Sequence, residues 1–257
     1  MGKKQTSKKG CILITGAAKR LGRAIALGLA SDGWDIGVHF NQSKKDAQTT
    51  VDEIRTLGVK AQAIFCDLSS PNAGRLLIDE CVNTMGPVHC LVNNASLFTF
   101  DTAKNFTSES LYQNLSVNLV SPLVLAKTFA EQIPDTEVGC VINLLDQKVF
   151  NLNADFFSYT VSKVALEGAT RLMALALAPK VRVCGLAPGI TLPSGPQTDE
   201  GFLSAHKMAP LGKSSTPDDI VEGVKYLIGA SSLTGTTIIL DGGQHLWPSK
   251  RDVQFEV

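Results

Sequence analysis

Short apolar runs alternate along this chain with longer stretches in which apolar residues recur every three or four positions. The short runs are typical of buried strands, and the longer periodic stretches are typical of helices packed on a sheet. The predicted strands are residues 11–15, 34–40, 59–66, 88–92, 138–145, 181–186 and 236–240. The pattern therefore predicts an α/β fold: a doubly wound, seven-stranded parallel sheet with helices on both faces.

The same pattern predicts one domain, because no linker-like change of composition divides the chain. The domain spans residues 11–247, between a flexible basic N-terminal tail at 1–10 and a C-terminal tail at 248–257. A long irregular segment at 188–215 interrupts the alternation of strands and helices. Such a segment inside an α/β domain is usually functional, and we expect it to be a lid over the site.

Composition narrows the possible classes of function. Hydrophobic residues make up 44% of the 257 residues, charged residues make up 19%, and the formal net charge is zero. This balance gives no electrostatic reason to expect nucleic acid or a membrane as a partner. The six cysteines form no Cys-x-x-Cys pair. We therefore expect reduced, buried thiols in a cytoplasmic protein, and no metal site.

The turn after the first predicted strand combines glycine with basic side chains. Gly16, Lys19, Arg20 and Leu21 lie there, immediately before the first predicted helix. In a first βα unit, glycine at this place lets the backbone approach a pyrophosphate at the helix N-terminus. The turn therefore predicts a dinucleotide site.

The end of the second predicted strand indicates which dinucleotide binds. An NAD site has an acidic residue there that bonds the ribose hydroxyls. This chain has His39, Asn41 and Ser43 instead, and its next carboxylate is Asp46. Together with the basic residues of the glycine turn, these polar side chains suit a 2′-phosphate. NADPH is therefore the expected cofactor.

Three further side chains suggest proton-transfer chemistry. Tyr159 and Lys163 are four residues apart near the start of a predicted helix, so they share one face of it. Asp146 follows the carboxyl end of the fifth predicted strand, where open parallel sheets bind their ligands. We expect the phenol, the ammonium and the carboxylate to meet in one cleft.

Taken in order, these motifs resemble the short-chain dehydrogenase/reductase family over about residues 11–247. The matching positions are 15–22, 93–95, 188–189 and 241–243, together with Asp67, Asn118, Tyr159 and Lys163. The resemblance implies a single-domain Rossmann fold. It also implies a homotetramer that forms through the helices at 108–132 and 157–178.

The resemblance further implies roles for individual residues. Tyr159 would be the acid/base, Lys163 would lower its pKa and hold the nicotinamide ribose, and Asn118 would support the lysine through water. Asp67 would contact the adenine. The other implied cofactor contacts are Leu68, Asn94, Ala95, Ser96, Pro188, Gly189 and Thr191.

Two departures from the family pattern point to a subgroup. The middle glycine of the turn is Arg20, and the usual catalytic serine, which precedes the tyrosine by 13 positions, is Asp146. Both changes together resemble the pteridine reductases and the related dihydromonapterin and dihydrofolate reductases. A third position differs from that subgroup, because Gln42 stands where an arginine usually binds the 2′-phosphate; this weakens the expected preference for NADPH.

The chemistry of pterin reduction agrees with these residues. Reduction of a C=N bond needs a proton on nitrogen, and a carboxylic acid such as Asp146 can donate it if burial raises its pKa. Phe98 could stack on a planar ring against the nicotinamide. Arg20 could reach both a cofactor phosphate and a pterin oxygen, and Ser96 could bond either molecule.

We therefore expect an NADPH-dependent reductase that acts on a pterin or dihydrofolate-type substrate. A first alternative is a carbonyl reductase of the same fold, acting on a ketone such as a 3-oxoacyl thioester, with Asp146 in place of the serine. A second alternative is a catalytically idle NADPH-binding sensor. The intact pair of Tyr159 and Lys163 argues against the sensor.

Overall fold

The computed structural model describes residues 9–194 and 197–255. Its strands form one sheet in the order β3-β2-β1-β4-β5-β6-β7, and every neighbouring pair is parallel. The strands are β1 Cys11–Ile14, β2 Asp35–Phe40, β3 Ala61–Phe65, β4 Val88–Asn93, β5 Gly139–Leu144, β6 Val181–Pro188 and β7 Thr237–Leu240. The predicted doubly wound, seven-stranded parallel sheet is confirmed. Most of the N-terminal tail predicted at 1–10 lies outside the described residues.

Helices cover both faces of this sheet. They are α1 Arg20–Ser31, α2 Lys44–Thr56, α3 Ala73–Met85, α4 Ser108–Leu115, α5 Ser121–Gln132, α6 Phe157–Leu177, α7 Asp199–Lys207 and α8 Pro217–Gly229. Side chains alternate along a strand, so Ile12 and Ile14 pack under α1, α2 and α8, while Leu13 packs under α3 and α5. Two apolar layers therefore hold the sheet rigid and fix the ends of its strands.

The winding of the chain reverses beside β1. This strand pairs with β2 on one side and with β4 on the other. The loops that follow β1 and β4 consequently diverge and leave a crevice at the carboxyl ends of the strands, which is where open α/β sheets bind ligands.

The helix predicted over 108–132 is continuous in outline but changes its pitch in the middle. Residues Ser116–Val120 form a π-helical segment between α4 and α5. Such segments are rare and occur often at functional sites. Here the segment contains Asn118, which is fully buried.

The prediction that residues 188–215 are irregular is wrong in part, because this segment contains α7. The Thr198 side chain accepts a hydrogen bond from the Gly201 amide at 3.1 Å, and Asp199 and Glu200 occupy the first turn. A capping threonine and acidic residues at the positive end of the helix dipole stabilise even this short helix.

Residues 248–255 pack onto the domain, although the sequence analysis separated 248–257 from it as a tail. The Arg251 Nε donates to Asp155 Oδ2 at 2.8 Å, and the Phe255 ring contacts the Phe100 ring with a centroid separation of 5.3 Å. Partners distant in the sequence hold this segment, so local periodicity could not reveal it.

Two expectations drawn from composition can be compared with the described part of the chain. All six cysteines lie there, and all are buried and form no disulfide. None of its helices is both long enough and apolar enough to cross a membrane.

Candidate active site

The crevice at the carboxyl ends of β1 and β4 consists of two joined compartments. One, of about 420 Å³, contains Asp146 and Tyr159 and is called the substrate compartment below. The other, of about 530 Å³, lies along the glycine turn and the end of β2 and is called the cofactor compartment. Residues that line both are Arg20, Leu21, Asn94 and Ser96. A long ligand could therefore extend from one compartment into the other.

The glycine turn is fixed from below by His39. Gly16 has φ of +64°, and its amide donates to His39 Nδ1 at 2.9 Å. The other ring nitrogen lies 3.0 Å from the Cys66 carbonyl oxygen. Since Nδ1 accepts, Nε2 carries the proton and donates to that oxygen. Burial lowers the pKa of His39 to about 4, so the ring is neutral at pH 7.

His39 therefore has a different position from the one expected of a cofactor contact. Its side chain is 2% exposed, and both ring nitrogens are engaged within the protein. The ring supports the glycine turn instead of presenting a polar atom to the compartment that it borders. The sequence places His39 correctly at the end of β2 but does not show which way the ring faces.

Arg20 stands where the family usually has glycine, and its backbone conformation is unusual for an arginine. Its φ is 54°, in the left-handed region that glycine adopts readily and other residues rarely adopt. Its guanidinium Nη2 donates to the Pro193 carbonyl oxygen at 2.7 Å, which joins the glycine turn to the segment predicted as a lid. The same side chain borders both compartments, as a contact to two ligands would require.

The N-terminus of α1 is open to the cofactor compartment. Lys19 is its N-cap, no side chain caps it, and its first turn contains no acid. The amides at the positive end of the helix are therefore left for an anion, which suits a pyrophosphate. Polar side chains that line this compartment are those of Lys19, Asn41, Gln42, Ser43 and Asp67. Of the described residues that line it, Asp67 is the one carboxylate.

The loop after β4 is joined to the glycine turn by hydrogen bonds. The Thr15 hydroxyl accepts from the amides of Asn94 and Ala95, both at 2.9 Å. The Asn94 side chain donates to the Thr15 carbonyl oxygen at 2.8 Å. These bonds place Ala95 and Ser96 along the cofactor compartment, which Leu68 also lines. Their contacts with a cofactor stay a prediction.

Asp146 and Tyr159 meet at the floor of the substrate compartment. The Tyr159 hydroxyl donates to Asp146 Oδ2 at 2.7 Å, and Asp146 Oδ1 accepts from the Lys148 amide at 2.8 Å. Burial raises the pKa of Asp146 above its ordinary value despite these hydrogen bonds. A carboxyl group with a raised pKa can act as a proton donor closer to neutral pH.

The pKa of Tyr159 is shifted in the opposite direction to the shift that the family role implies. Burial, and then the neighbouring Asp146 carboxylate, raise this pKa well above its ordinary value. Lys163 is expected to lower it, yet the Lys163 ammonium donates to the Leu144 carbonyl oxygen at 2.7 Å. Burial lowers the pKa of Lys163 itself to about 8. In this structure Tyr159 is therefore a neutral phenol that donates to Asp146.

Asn118 connects the π-helical segment to the loop that carries Phe98. Its Oδ1 accepts from the Leu97 amide at 2.7 Å, and its Nδ2 donates to the Leu97 carbonyl oxygen at 2.9 Å. The same Nδ2 donates to the Ser162 hydroxyl at 3.0 Å. These contacts directly position the loop that carries Phe98. Support of Lys163 by Asn118 stays a prediction.

Phe98 forms one wall of the substrate compartment. Its ring stacks on that of Phe156 with centroids 4.1 Å apart, and meets the Tyr159 ring edge-on at 4.7 Å. It is nevertheless 41% exposed. An aromatic ring held from behind but open in front can stack on a planar ligand.

The loop after β6 closes the other side. A Cβ on Gly189 would lie 2.4 Å from the Ser214 hydroxyl oxygen, so this close approach requires glycine. The Thr191 hydroxyl lies 2.8 Å from that of Ser215 and donates to the Gly189 carbonyl oxygen at 2.9 Å. Pro188, Gly189 and Thr191 all line the substrate compartment.

Sequence reasoning missed several residues of this compartment. Gln147, beside Asp146 in the sequence, is 9% exposed, and its Oε1 has no hydrogen-bond partner within the described chain. Asp252, Val253 and Gln254 also line the compartment. Gln147 could have been predicted from the sequence, because it follows Asp146 directly. The C-terminal residues follow no motif.

Comparison with known proteins establishes the family. A family model described as short chain dehydrogenase matches residues 10–199. The chain therefore belongs to the short-chain dehydrogenase family, as its motifs predicted.

Three relatives place the chain more closely. The solved structure of FolM alternative dihydrofolate reductase 1 from Brucella canis, complexed with NADP, is 38% identical, with a TM-score of 0.90 over 94% of this chain and 96% of that one. Pteridine reductase 1 of Leishmania tarentolae is 30% identical over 91% of this chain and 96% of its own. The 3-oxoacyl-[acyl-carrier-protein] reductase FabG of Staphylococcus epidermidis is 28% identical over 91% and 98%. The predicted similarity to the pteridine and dihydrofolate reductase subgroup is confirmed.

Proposed function

We propose that this oxidoreductase uses NADPH to reduce a C=N bond of a pterin or dihydrofolate-type substrate. The observation that carries this proposal is the 2.7 Å hydrogen bond between Tyr159 and Asp146 in a compartment walled by Phe98. Asp146 replaces a hydroxyl group with an acid whose pKa burial has raised. The similarity to an alternative dihydrofolate reductase and a pteridine reductase supports the same substrate class.

The cofactor compartment fits NADPH. The uncapped N-terminus of α1 would receive the pyrophosphate, and Lys19, Asn41 and Ser43 would surround the 2′-phosphate. Asp67 and Leu68 would contact the adenine, and Asn94 and Ala95 its ribose. NADPH, when bound, supplies a hydride to the substrate carbon.

The protein residues supply the matching proton. As the C=N double bond becomes a C–N single bond, the hydride forms a new C–H bond at carbon. The nitrogen forms its new N–H bond with a proton from Asp146, directly or through Tyr159. Solvent then returns a proton to the carboxylate. Lys163, which is buried beside both groups, keeps positive charge close to where negative charge is left.

The substrate ring would lie against the open face of Phe98. Stacking would hold a planar heterocycle parallel to this ring. Arg20 and Ser96, at the junction of the two compartments, would bond its polar edge. The unpartnered Oε1 of Gln147 offers a buried acceptor for an N–H group, which a pterin has and a simple ketone lacks.

A second candidate is reduction of a ketone such as a 3-oxoacyl thioester. The similarity to FabG favours it, because the pair of Tyr159 and Lys163 also suits a carbonyl substrate. Both candidates use the same hydride donor, so the substrate decides between them.

We further propose a cytoplasmic homotetramer. Its support is the set of six cysteines that form no disulfide, and the apolar residues exposed at the end of the π-helical segment and on α6. Val120, Leu172 and Leu175 are examples.

A substrate panel with matched variants tests the proposed function. NADPH oxidation is measured with dihydrobiopterin, dihydromonapterin, dihydrofolate and acetoacetyl thioesters. We expect turnover with at least one pterin or folate. Asp146→Asn keeps the shape of the side chain but removes the acid, and should lower kcat about 10²- to 10⁴-fold. Its affinity for NADPH should change less than about twofold.

Asp79→Asn is the control, since this half-exposed residue lies on α3 and pairs with Arg75. It should behave as the unmodified protein. Turnover of thioesters alone would overturn the pterin proposal. Full pterin activity in Asp146→Ser would show that Asp146 is not the acid.

A further inference from the structure

The last turn of the described chain forms part of the substrate compartment. Asp252, Val253 and Gln254 line it, although they follow β7 and the sheet is already complete. Residues 251–255 are called the C-terminal strap below. Its position matters for any ligand that lies against Phe98.

A buried ion pair fixes the strap beside the catalytic acid. The Lys148 side chain is 3% exposed, and its ammonium donates to Asp252 Oδ2 at 2.9 Å and to Asn153. A buried ammonium is costly without a compensating charge, so Lys148 strongly favours the position of Asp252 that the structure shows. The Lys148 amide is also the group that holds Asp146. One residue therefore connects the strap to the acid.

Asp155 forms a second anchor from the loop before α6. It is 2% exposed, and its Oδ2 accepts from Arg251 Nε and from the Asp252 amide, both at 2.8 Å. Charge-assisted hydrogen bonds of this kind are stronger than neutral ones. Asp155 thus holds the backbone of the strap at Asp252, while Lys148 holds the Asp252 carboxylate.

Aromatic packing forms the third anchor. The Phe255 ring lies nearly parallel to that of Phe156, with centroids 6.0 Å apart. Phe156 is in turn the ring on which Phe98 stacks. The strap and the proposed stacking wall therefore share a support. The helix α7, in the segment predicted as a lid, also packs against the strap.

We propose that Asp252 is a positioning residue for the substrate. Held by Lys148, it fixes the strap as a wall that keeps the substrate ring against Phe98 and within reach of Asp146. This inference rests on the proposed function for the identity of the ring. The wall itself would act on any substrate of this compartment.

Asp252→Asn tests the proposal because a neutral amide cannot compensate the buried ammonium. With dihydropterin as the varied substrate, we expect KM to rise on the order of tenfold, as for loss of one charged hydrogen bond. The value of kcat and the Kd of NADPH should stay within about twofold. Asp252→Glu, which keeps the charge, should recover most of the affinity. Phe255→Ala, which removes a different anchor, should raise KM in the same way and serves if Asp252→Asn does not fold.

Asp135→Asn is the matched control, because this exposed residue forms an ion pair far from the compartment. Asp135 precedes β5, and its partner Lys180 precedes β6, so the pair lies at the amino ends of these strands. Its KM should not change. If the protein reduces dihydropterin and both strap variants keep the original KM, the strap does not position substrate. If the protein reduces only acetoacetyl thioesters, the proposed function fails. A tenfold KM rise on the thioester would then still support the wall, and an unchanged KM would overturn it.

Discussion

Single residues separate this chain from the general pattern of its family. Arg20 and Asp146 stand where a glycine and a serine are usual, and both border the substrate compartment. Arg20 has φ of 54°, in the left-handed region that glycine adopts readily and other residues rarely adopt. The chain accepts strain at this point and gains a guanidinium between the two compartments.

This strain can be measured with a pair of substitutions. Arg20→Gly and Arg20→Ala both lose the hydrogen bond to Pro193, but only glycine relieves the left-handed conformation. We expect Arg20→Gly to have a free energy of unfolding about 1 kcal/mol higher than Arg20→Ala. Urea denaturation checks this, and an alanine variant at least as stable as the glycine variant would contradict it. Both should bind substrate more weakly than the unmodified protein.

The lowered pKa of His39 should make the stability of the protein depend on pH. Its pKa is about 4 in the folded chain, against 6.5 for an exposed imidazole. Between these values the unfolded chain binds a proton that the folded chain excludes. The contribution of His39 is therefore fully present above about pH 6.5, falls as the pH is lowered towards 4, and changes no further below that. This group alone should lower the free energy of unfolding by about 2 kcal/mol between pH 7 and pH 5.

His39→Gln isolates this contribution. Glutamine can still donate to the Cys66 carbonyl oxygen but does not titrate in this range. Urea titrations at pH 5, 7 and 8 should show a smaller loss of stability on acidification in the variant. Any constant offset between the two proteins at pH 8 reports the changed hydrogen bonds alone. Equal slopes between pH 7 and pH 5 would show that the ring is not held neutral.

At the scale of elements, local patterns predicted the framework well. The inner strands β1, β4 and β5 were predictable because each is a short apolar run, buried by helices on both faces, and such runs stand out in a sequence. The π-helical segment at Ser116–Val120 was not, because it keeps helical periodicity and differs only in its hydrogen bonds. The helix α7 was missed because only 9 residues carry its pattern.

The residues of the site also fall into those that local patterns predict and those that depend on distant contacts. Tyr159, Lys163 and Asp146 were predictable because fixed spacing on one helix, or a place at the end of a strand, determines where they lie. The orientation of the His39 ring and the contacts of Asn118 depend on groups that other elements bring close. The strap depends on Lys148 and Asp155, 104 and 96 positions from their partners Asp252 and Arg251. No local pattern encodes contacts of that range.

At the scale of the whole molecule, the exposed apolar surface is uneven. On α6, Leu172 and Leu175 are 68% and 80% exposed, and Val161 and Val164 are more than a third exposed. A Cβ on Gly168, between these two pairs, would meet no atom within 4 Å. An apolar helix face with a small residue at its centre lets a second helix approach closely. A contiguous face of this kind is unusual on a monomer.

This exposed face predicts that α6 lies in the interface of the proposed homotetramer. Light scattering should give four times the chain mass of 27.4 kDa for the unmodified protein. Leu172→Glu would place a charge in a symmetric interface, where every copy repeats it, and should yield smaller species. Leu76→Glu, at a 62% exposed leucine on α3, is the matched control and should remain tetrameric. A monomeric unmodified protein, or a tetramer that survives Leu172→Glu, would remove α6 from the interface. Because α6 also carries Tyr159 and Lys163, dissociation should lower kcat.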